Sequence, residues 1–115
     1  MRFLCVHKVP EGTPPTLKMM EDMGTLISEM SAAGVLLATE GCLPSAKGAR
    51  VRRSNGKITV TDGPFTESKE VIGGFALIQV TSKDEAIEWT KRFINVVGEG
   101  ESEIRELCEV PAYQG

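Results

Sequence analysis

Hydrophobic positions along the chain follow two periods, and each period predicts one kind of secondary structure. Alternating or continuously apolar runs predict β-strands over residues 2–8, 35–43, 72–80 and 103–110. Apolar residues spaced three or four positions apart predict a helix from Met19 to Ala33 that ends at Gly34. A second helix is predicted to begin after the capping sequence Ser82-Lys83-Asp84-Glu85 and to end at Gly98.

A hairpin is predicted between the second and third of these strands. Asn55-Gly56 separates Val51 from Ile58-Thr59-Val60, and both residues of an Asn-Gly pair tolerate the positive φ of a tight hairpin turn. The resulting order, βαβ-hairpin-βαβ, predicts a single α+β domain over residues 1–115. We expect a ferredoxin-like sandwich, in which a mostly antiparallel sheet carries two helices on one face.

Both faces of the predicted strands are apolar. In the first strand, Leu4 and Val6 alternate with Phe3 and Cys5. Strands that are apolar on both faces are typically buried on both faces. Because the two helices cover only one face of the sheet, we expect a second copy of the chain to cover the other face in a two-fold homodimer.

Charge and composition narrow the classes of function. The net charge of -3 argues against direct nucleic-acid binding, and we interpret the short cluster Arg50, Arg52 and Arg53 as a solvated strand edge. No apolar run approaches the roughly 20 residues of a membrane span, so we expect no membrane association and a cytoplasmic location. The three cysteines are widely spaced, which excludes a CxxC motif, and we expect them to be buried, reduced thiols.

Two residues are candidates for acid–base chemistry. Asp62 opens the turn Asp62-Gly63-Pro64, where its carboxylate either transfers protons or only bonds the turn. His7, the single histidine, shares a strand face with Phe3 and Cys5 and is either a general base or a strand-end histidine without a function. One histidine among scattered acids does not indicate a metal site, which usually needs three or four ligands.

Two polar residues inside apolar runs are candidates for ligand binding. Glu40 interrupts the run that begins at Val35, and it either forms a structural ion pair with a nearby cation or binds a ligand. Gln79 shares its strand face with Phe75 and Leu77. If a partner subunit covers the second face of the sheet, Gln79 and His7 would border an apolar cleft.

The loop after Asp62 contributes two more candidates for binding, Glu67 and Lys69. This loop ends at Gly73-Gly74, and glycines in a strand allow another backbone or a ligand to approach closely. The loop charges are therefore interpreted either as part of a binding site or as a solvated, salt-bridged surface.

At this loop the sequence resembles the YCII-related superfamily and, within it, the DGPF-domain proteins. The resemblance covers nearly the whole chain. It rests on Asp62-Gly63-Pro64-Phe65, Glu67, Lys69-Glu70 and Gly73-Gly74-Phe75, together with Ala33-Gly34-Val35-Leu36, Glu40-Gly41-Cys42-Leu43-Pro44-Ser45, Glu85-Ala86 and Trp89.

The resemblance implies a dimeric α+β barrel built from two ferredoxin-like units. The wider superfamily implies a His–Asp pair in a cleft, similar to muconolactone-isomerase-like proteins. Asp62 matches the Asp of the motif, whereas His7 has no fixed counterpart in the DGPF pattern. Some DGPF-domain proteins are associated with alternative RNA polymerase sigma factors, which implies a regulatory partner.

Two functions are therefore expected as alternatives. The first is a small dimer whose cleft binds a small polar or anionic metabolite, with Asp62 and His7 as acid–base residues and the other four candidates lining the cleft. No phosphate-cradling glycine loop or nucleotide fingerprint is present, so any chemistry would be cofactor-free and isomerase- or lyase-like. The second is a non-enzymatic interaction module, such as a sigma-factor partner, which would keep an exposed apolar patch after dimerisation.

Overall fold

A computed structural model describes residues 1–12 and 14–109 of the chain. Within these ranges the longer elements follow one another as β1 Arg2–Val9, α1 Leu17–Ala32, β2 Leu36–Gly41, β3 Ala49–Ser54, β4 Lys57–Asp62, β5 Val71–Gln79, α2 Lys83–Val97 and β6 Glu101–Glu106. A short 3₁₀ turn, Ser45–Lys47, lies between β2 and β3. The order of these elements confirms the predicted α+β, ferredoxin-like arrangement.

The main sheet has the strand order β2-β5-β1-β6, and every neighbouring pair in it is antiparallel. Strands β3 and β4 form a separate two-stranded hairpin. At its turn Asn55 and Gly56 have φ of 52° and 76°, which is the conformation that the Asn-Gly pair predicts. The inserted hairpin therefore extends from the ferredoxin-like body rather than adding strands to its sheet.

Side-chain caps fix where both helices begin. The Thr16 hydroxyl accepts a hydrogen bond from the Met19 amide at 3.1 Å, and the Ser82 hydroxyl accepts one from the Glu85 amide at 3.1 Å. The Glu85 carboxylate reaches back to the Thr81 amide rather than to Ser82, so the capping box is displaced by one residue. Across the described ranges, no helix combines the length and the hydropathy needed to cross a membrane.

Both helices pack on the same face of the sheet. Phe3 and Ile78, which are directly paired across β1 and β5, are 2% and 1% exposed and form the centre of the core. Residues from both helices pack around them, including Leu26, Met30 and Ala86. The odd-numbered residues of β1 thus point to the helices, whereas Leu4 and Val6 point to the other, open face of the sheet.

Two sequence-based expectations differ from the structure. The last strand spans Glu101–Glu106 instead of residues 103–110, and its predicted end at Val110 lies outside the described residues. The expectation of three buried cysteines was wrong, because Cys42 and Cys108 are exposed and Cys5 is half-buried. Cys42 and Cys108 follow the last residues of β2 and β6, where the chain has already left the core.

Candidate functional site

The loop that follows β4 packs tightly against the turn Ser45–Lys47. A Cβ atom built on Gly63 would lie 1.7 Å from the Ser45 carbonyl oxygen, a distance that no side chain can occupy. The Gly63 amide also donates a hydrogen bond to the Gly48 carbonyl at 3.0 Å. Close contact between two backbones therefore explains the glycine of the Asp62-Gly63-Pro64-Phe65 sequence.

Ser45 joins three segments at this point. Its buried hydroxyl donates to the Glu11 carboxylate at 2.7 Å and accepts from the Phe65 amide at 2.9 Å. The Ser45 amide donates to the same carboxylate. These bonds connect the loop after β1 to the loop after β4, so much of the sequence around Phe65 has a structural role.

The charges of this loop form an ion pair on its surface. The Arg50 guanidinium lies 3.9 Å from the centre of the Phe65 ring and donates to the Glu67 carboxylate and to the Ser68 hydroxyl. Hydrogen bonds from its own main-chain amide and from Arg50 lower the pKa of Glu67. The binding candidate Glu67 is therefore an ionised partner of Arg50.

Among the described residues, no side-chain hydrogen bond or salt bridge joins the other four candidates to one another or to His7. Asp62 is the last residue of β4, and its exposed carboxylate has no hydrogen bond or ion pair among the described residues. Lys69 is likewise exposed and has no salt bridge to the rest of the described chain. Glu40 and Gln79 are exposed, and Glu40 pairs in register with Phe75 on the open face of the sheet.

The glycine pair accommodates neighbouring protein atoms. A Cβ on Gly74 would lie 2.8 Å from the Glu40 carbonyl oxygen, and one on Gly73 would lie 2.8 Å from the Val9 Cγ2 atom. Of the two roles that the sequence allows for these glycines, the structure supports close approach of another backbone at Gly74, whereas Gly73 makes room for the Val9 side chain.

His7 occupies a different environment, on the helix face of the sheet. Its side chain is only 6% exposed, and its ring meets the Phe93 ring edge to face at a centroid distance of 4.8 Å. The Nδ1 atom lies 3.0 Å from the Ser102 hydroxyl oxygen, whereas Nε2 is buried without a hydrogen-bond partner. Gly100 covers the ring, since a Cβ there would lie 2.9 Å from His7 Cε1.

This environment favours the neutral imidazole. Burial lowers the pKa of His7, and this shift is opposed by the Glu70 carboxylate and by the Glu101 main chain. Asp62 does not contribute to this shift. A neutral imidazole with one unbonded nitrogen can accept or release a proton.

A shallow groove of about 520 Å³ runs between α2 and β6. Its apolar lining is Ile87, Ile94 and Ile104, and its polar lining is Lys83, Thr90, Lys91, Asn95 and Ser102. Ser102 therefore faces the groove and is also hydrogen-bonded to the buried His7 ring. We refer to His7, Ser102 and this groove as the His7 site.

Comparison with known protein sequences shows the family of the chain. The sequence matches the YCII-related domain over residues 1–110. The chain belongs to the YCII-related domain family. An uncharacterized protein of Rhizobium meliloti is 34% identical over 92 residues, which are 79% of this chain and 74% of that protein. The family prediction is thereby confirmed at the level of the YCII-related domain, and assignment to the DGPF group stays a prediction.

A solved structure of CutA from Xylella fastidiosa is a weaker match. It is 15% identical, covers 97% of this chain and 89% of its own, and has a TM-score of 0.42. The fold description of this YCII-related protein therefore rests on its own strand order and packing.

Sequence reasoning did not find Ser102 or Gly100 as neighbours of the His7 ring. Ser102 lies one residue before the predicted last strand, so the alternation of that strand was not extended to it. The expected topology could have indicated Ser102, because a ferredoxin-like sheet pairs its first and last strands. In the structure that pairing sets His7 directly opposite Ser102.

Replacing Gly63 should test the backbone contact. We expect Gly63→Ala to lower the free energy of unfolding by more than about 2 kcal/mol, because the new Cβ forces two main-chain segments apart. Gly24→Ala is the matched control, since nothing lies within 4 Å of that position in α1, and it should stabilise the helix by about 1 kcal/mol. Urea unfolding measures both changes, and equal effects of the two variants would contradict the contact.

The burial of His7 should make stability depend on pH. Its pKa in the folded chain lies below the unfolded value of 6.5, so the unfolded chain binds more protons as the pH falls. The contribution of His7 to the free energy of unfolding is fully present above pH 6.5, the pKa of the unfolded chain. It is lost as the pH falls through the lower pKa of the folded chain. Between about pH 7 and about pH 5, wild type should lose more unfolding free energy than His7→Gln, which does not titrate. Parallel losses in urea titrations of both proteins would refute this expectation.

Proposed function

We propose that this YCII-related protein binds a small, partly apolar anion in the groove between α2 and β6 and transfers a proton through His7 and Ser102 without a cofactor. One observation carries the proposal. A buried imidazole with an unbonded nitrogen is hydrogen-bonded to a serine that opens into the groove of about 520 Å³ between α2 and β6. Such unsatisfied, perturbed groups are more frequent at functional sites than in structural cores.

The chemistry follows from the state of the ring. Because burial lowers its pKa, His7 is neutral near neutral pH and has the capacity to accept a proton. The Ser102 hydroxyl can donate one hydrogen bond and accept another at the same time. A proton removed from a ligand in the groove can therefore pass through Ser102 to Nδ1 of His7, and return by the same path.

The lining of the groove indicates the class of ligand. Three isoleucine side chains suit an apolar body, and the ammonium groups of Lys83 and Lys91 suit a carboxylate or phosphate at its end. Lys91 is partly engaged by Glu88 at 3.2 Å, which leaves Lys83 as the freer cation among the described contacts. Proton removal next to the carbonyl of such an anion is the isomerase- or lyase-type reaction that this site can support.

We also propose a homodimer formed through the open face of the sheet. Leu4, Val6 and Leu77 are only half-buried there, and Phe75 is 37% exposed. An apolar sheet face of this kind normally has a covering layer. Glu40 and Gln79 lie on or beside this face, so in the dimer they would belong to the interface rather than to the His7 site.

A second candidate function, a protein-interaction module, is favoured by the hairpin. Val51, Ile58 and Val60 lie on one face of it and are 69%, 66% and 64% exposed. This is the apolar patch that a sigma-factor partner or another protein would use. Ile58→Lys should then abolish capture of a defined protein from native lysate, and recovery of the homodimer alone from wild type would count against it.

Deuterium exchange can test the proton transfer. A panel of small 2-oxo acids and of lactones that carry a carboxylate is incubated with the protein in D₂O, and incorporation at carbon is followed by NMR. We expect exchange for at least one compound, with a loss of about 100-fold in His7→Gln and a smaller loss in Ser102→Ala. Asp62→Asn is the control that should retain activity. Exchange that Asp62→Asn abolishes and His7→Gln leaves intact would refute the assignment.

Dimerisation through the open face can be tested with charge substitutions. Phe75→Asp places a carboxylate in the proposed interface and should convert the dimer to a monomer. Leu17→Asp, at a side chain that is 69% exposed at the start of α1, introduces the same charge away from that face and should leave the dimer intact. Sedimentation velocity distinguishes the outcomes. A wild-type monomer, or dissociation by Leu17→Asp alone, would contradict the proposed interface.

A further inference from the structure

The polar face of the β3–β4 hairpin forms a second hollow, remote in sequence from the His7 site. Register places Arg50 opposite Thr61 and Arg52 opposite Thr59, so these four side chains share one face of the hairpin. Together with Glu67 they line a hollow of about 230 Å³. We propose that this arginine hollow is a binding site for a small anion that carries a phosphate or carboxylate group.

Arg50 is held in place before any ligand binds. Its guanidinium stacks on the Phe65 ring at 3.9 Å and is bonded to Glu67 through one terminal nitrogen and to Ser68 through the other. A guanidinium has five N–H donors, so donors remain for an incoming oxygen. Because the side chain is already ordered, a ligand would cost little further side-chain entropy here.

Arg52 provides the charge that is not neutralised. Among the described residues it has neither an ion pair nor a side-chain hydrogen bond, whereas Arg50 is paired with Glu67. The hollow therefore carries two positive charges and one negative charge. Residues two apart on a strand are separated by about 7 Å, which allows one small anion to contact both guanidinium groups.

The hydroxyls of Thr59 and Thr61 complete the set of donors. Each lies directly across from one arginine, at the separation of about 5 Å that is typical of cross-strand neighbours. A phosphate or carboxylate between the arginines can therefore accept hydrogen bonds from both strands. The size of the hollow and the net charge of -3 favour a single small anion over a nucleic acid.

Glu67 should act as an internal competitor at this site. Its carboxylate already accepts a hydrogen bond from one terminal nitrogen of Arg50, and it remains ionised at neutral pH. An incoming anion must share Arg50 with Glu67 or displace it. Removing the charge at Glu67 should therefore strengthen anion binding, whereas removing Arg52 should weaken it.

The experiment is a ¹⁵N-NMR titration of the full chain with inorganic phosphate at constant ionic strength, and in parallel with malonate. We expect saturable shifts at the Thr59 and Thr61 amides, about tenfold weaker binding in Arg52→Gln and tighter binding in Glu67→Gln. The preferred probe shows whether phosphate or carboxylate is the recognised group.

Arg53→Gln is the matched control. It removes the same charge from the same strand, but alternation and its pairing with Ile58 place Arg53 on the apolar face of the hairpin. Equal weakening by Arg52→Gln and Arg53→Gln, or shifts that never saturate, would show diffuse charge attraction and overturn the proposal.

The two sites share no lining residue, so Arg52→Gln should leave deuterium exchange at the His7 site unchanged.

Discussion

Phe3 and Ile78 meet across β1 and β5 beneath both helices, and their near-complete burial determines which face of the main sheet is covered. Because side chains alternate along a strand, His7 lies on the same covered face as Phe3. A shift of β1 by one residue would move His7 to the open face, away from the two helices. The hydrophobic core thus sets the dielectric environment of the only histidine, and through it the neutral state on which the proposed chemistry depends.

The loop that carries the family resemblance supports the fold more directly than it supports chemistry. Gly63 permits backbone contact with Ser45, and Phe65 is bonded to Ser45 through its amide and stacked on Arg50 through its ring. Glu67 is paired with that same arginine. These contacts position the hairpin relative to the body.

The fold was largely predictable from sequence because its signals are local. The apolar period of the helices, the Ser82 cap and the Asn55-Gly56 turn each specify their own element without long-range information. The site was less predictable because it depends on pairing between distant strands. His7 was recognised as a candidate, but Ser102 lies 95 residues away and meets it only when β6 pairs with β1. Cys42 and Cys108 were misjudged for a related reason, since burial depends on where the strands end.

An NMR pH titration of the His7 ring, in ¹⁵N-histidine-labelled wild type and in Ser102→Ala, tests the central claim most directly. The single histidine gives one set of ring signals, so the assignment is unambiguous. A His7 pKa below the ordinary 6.5, with one dominant tautomer that Ser102→Ala redistributes, is the result that this structure predicts. A pKa at or above 6.5, with a tautomer ratio that Ser102→Ala does not change, would contradict a buried imidazole coupled to the groove through Ser102.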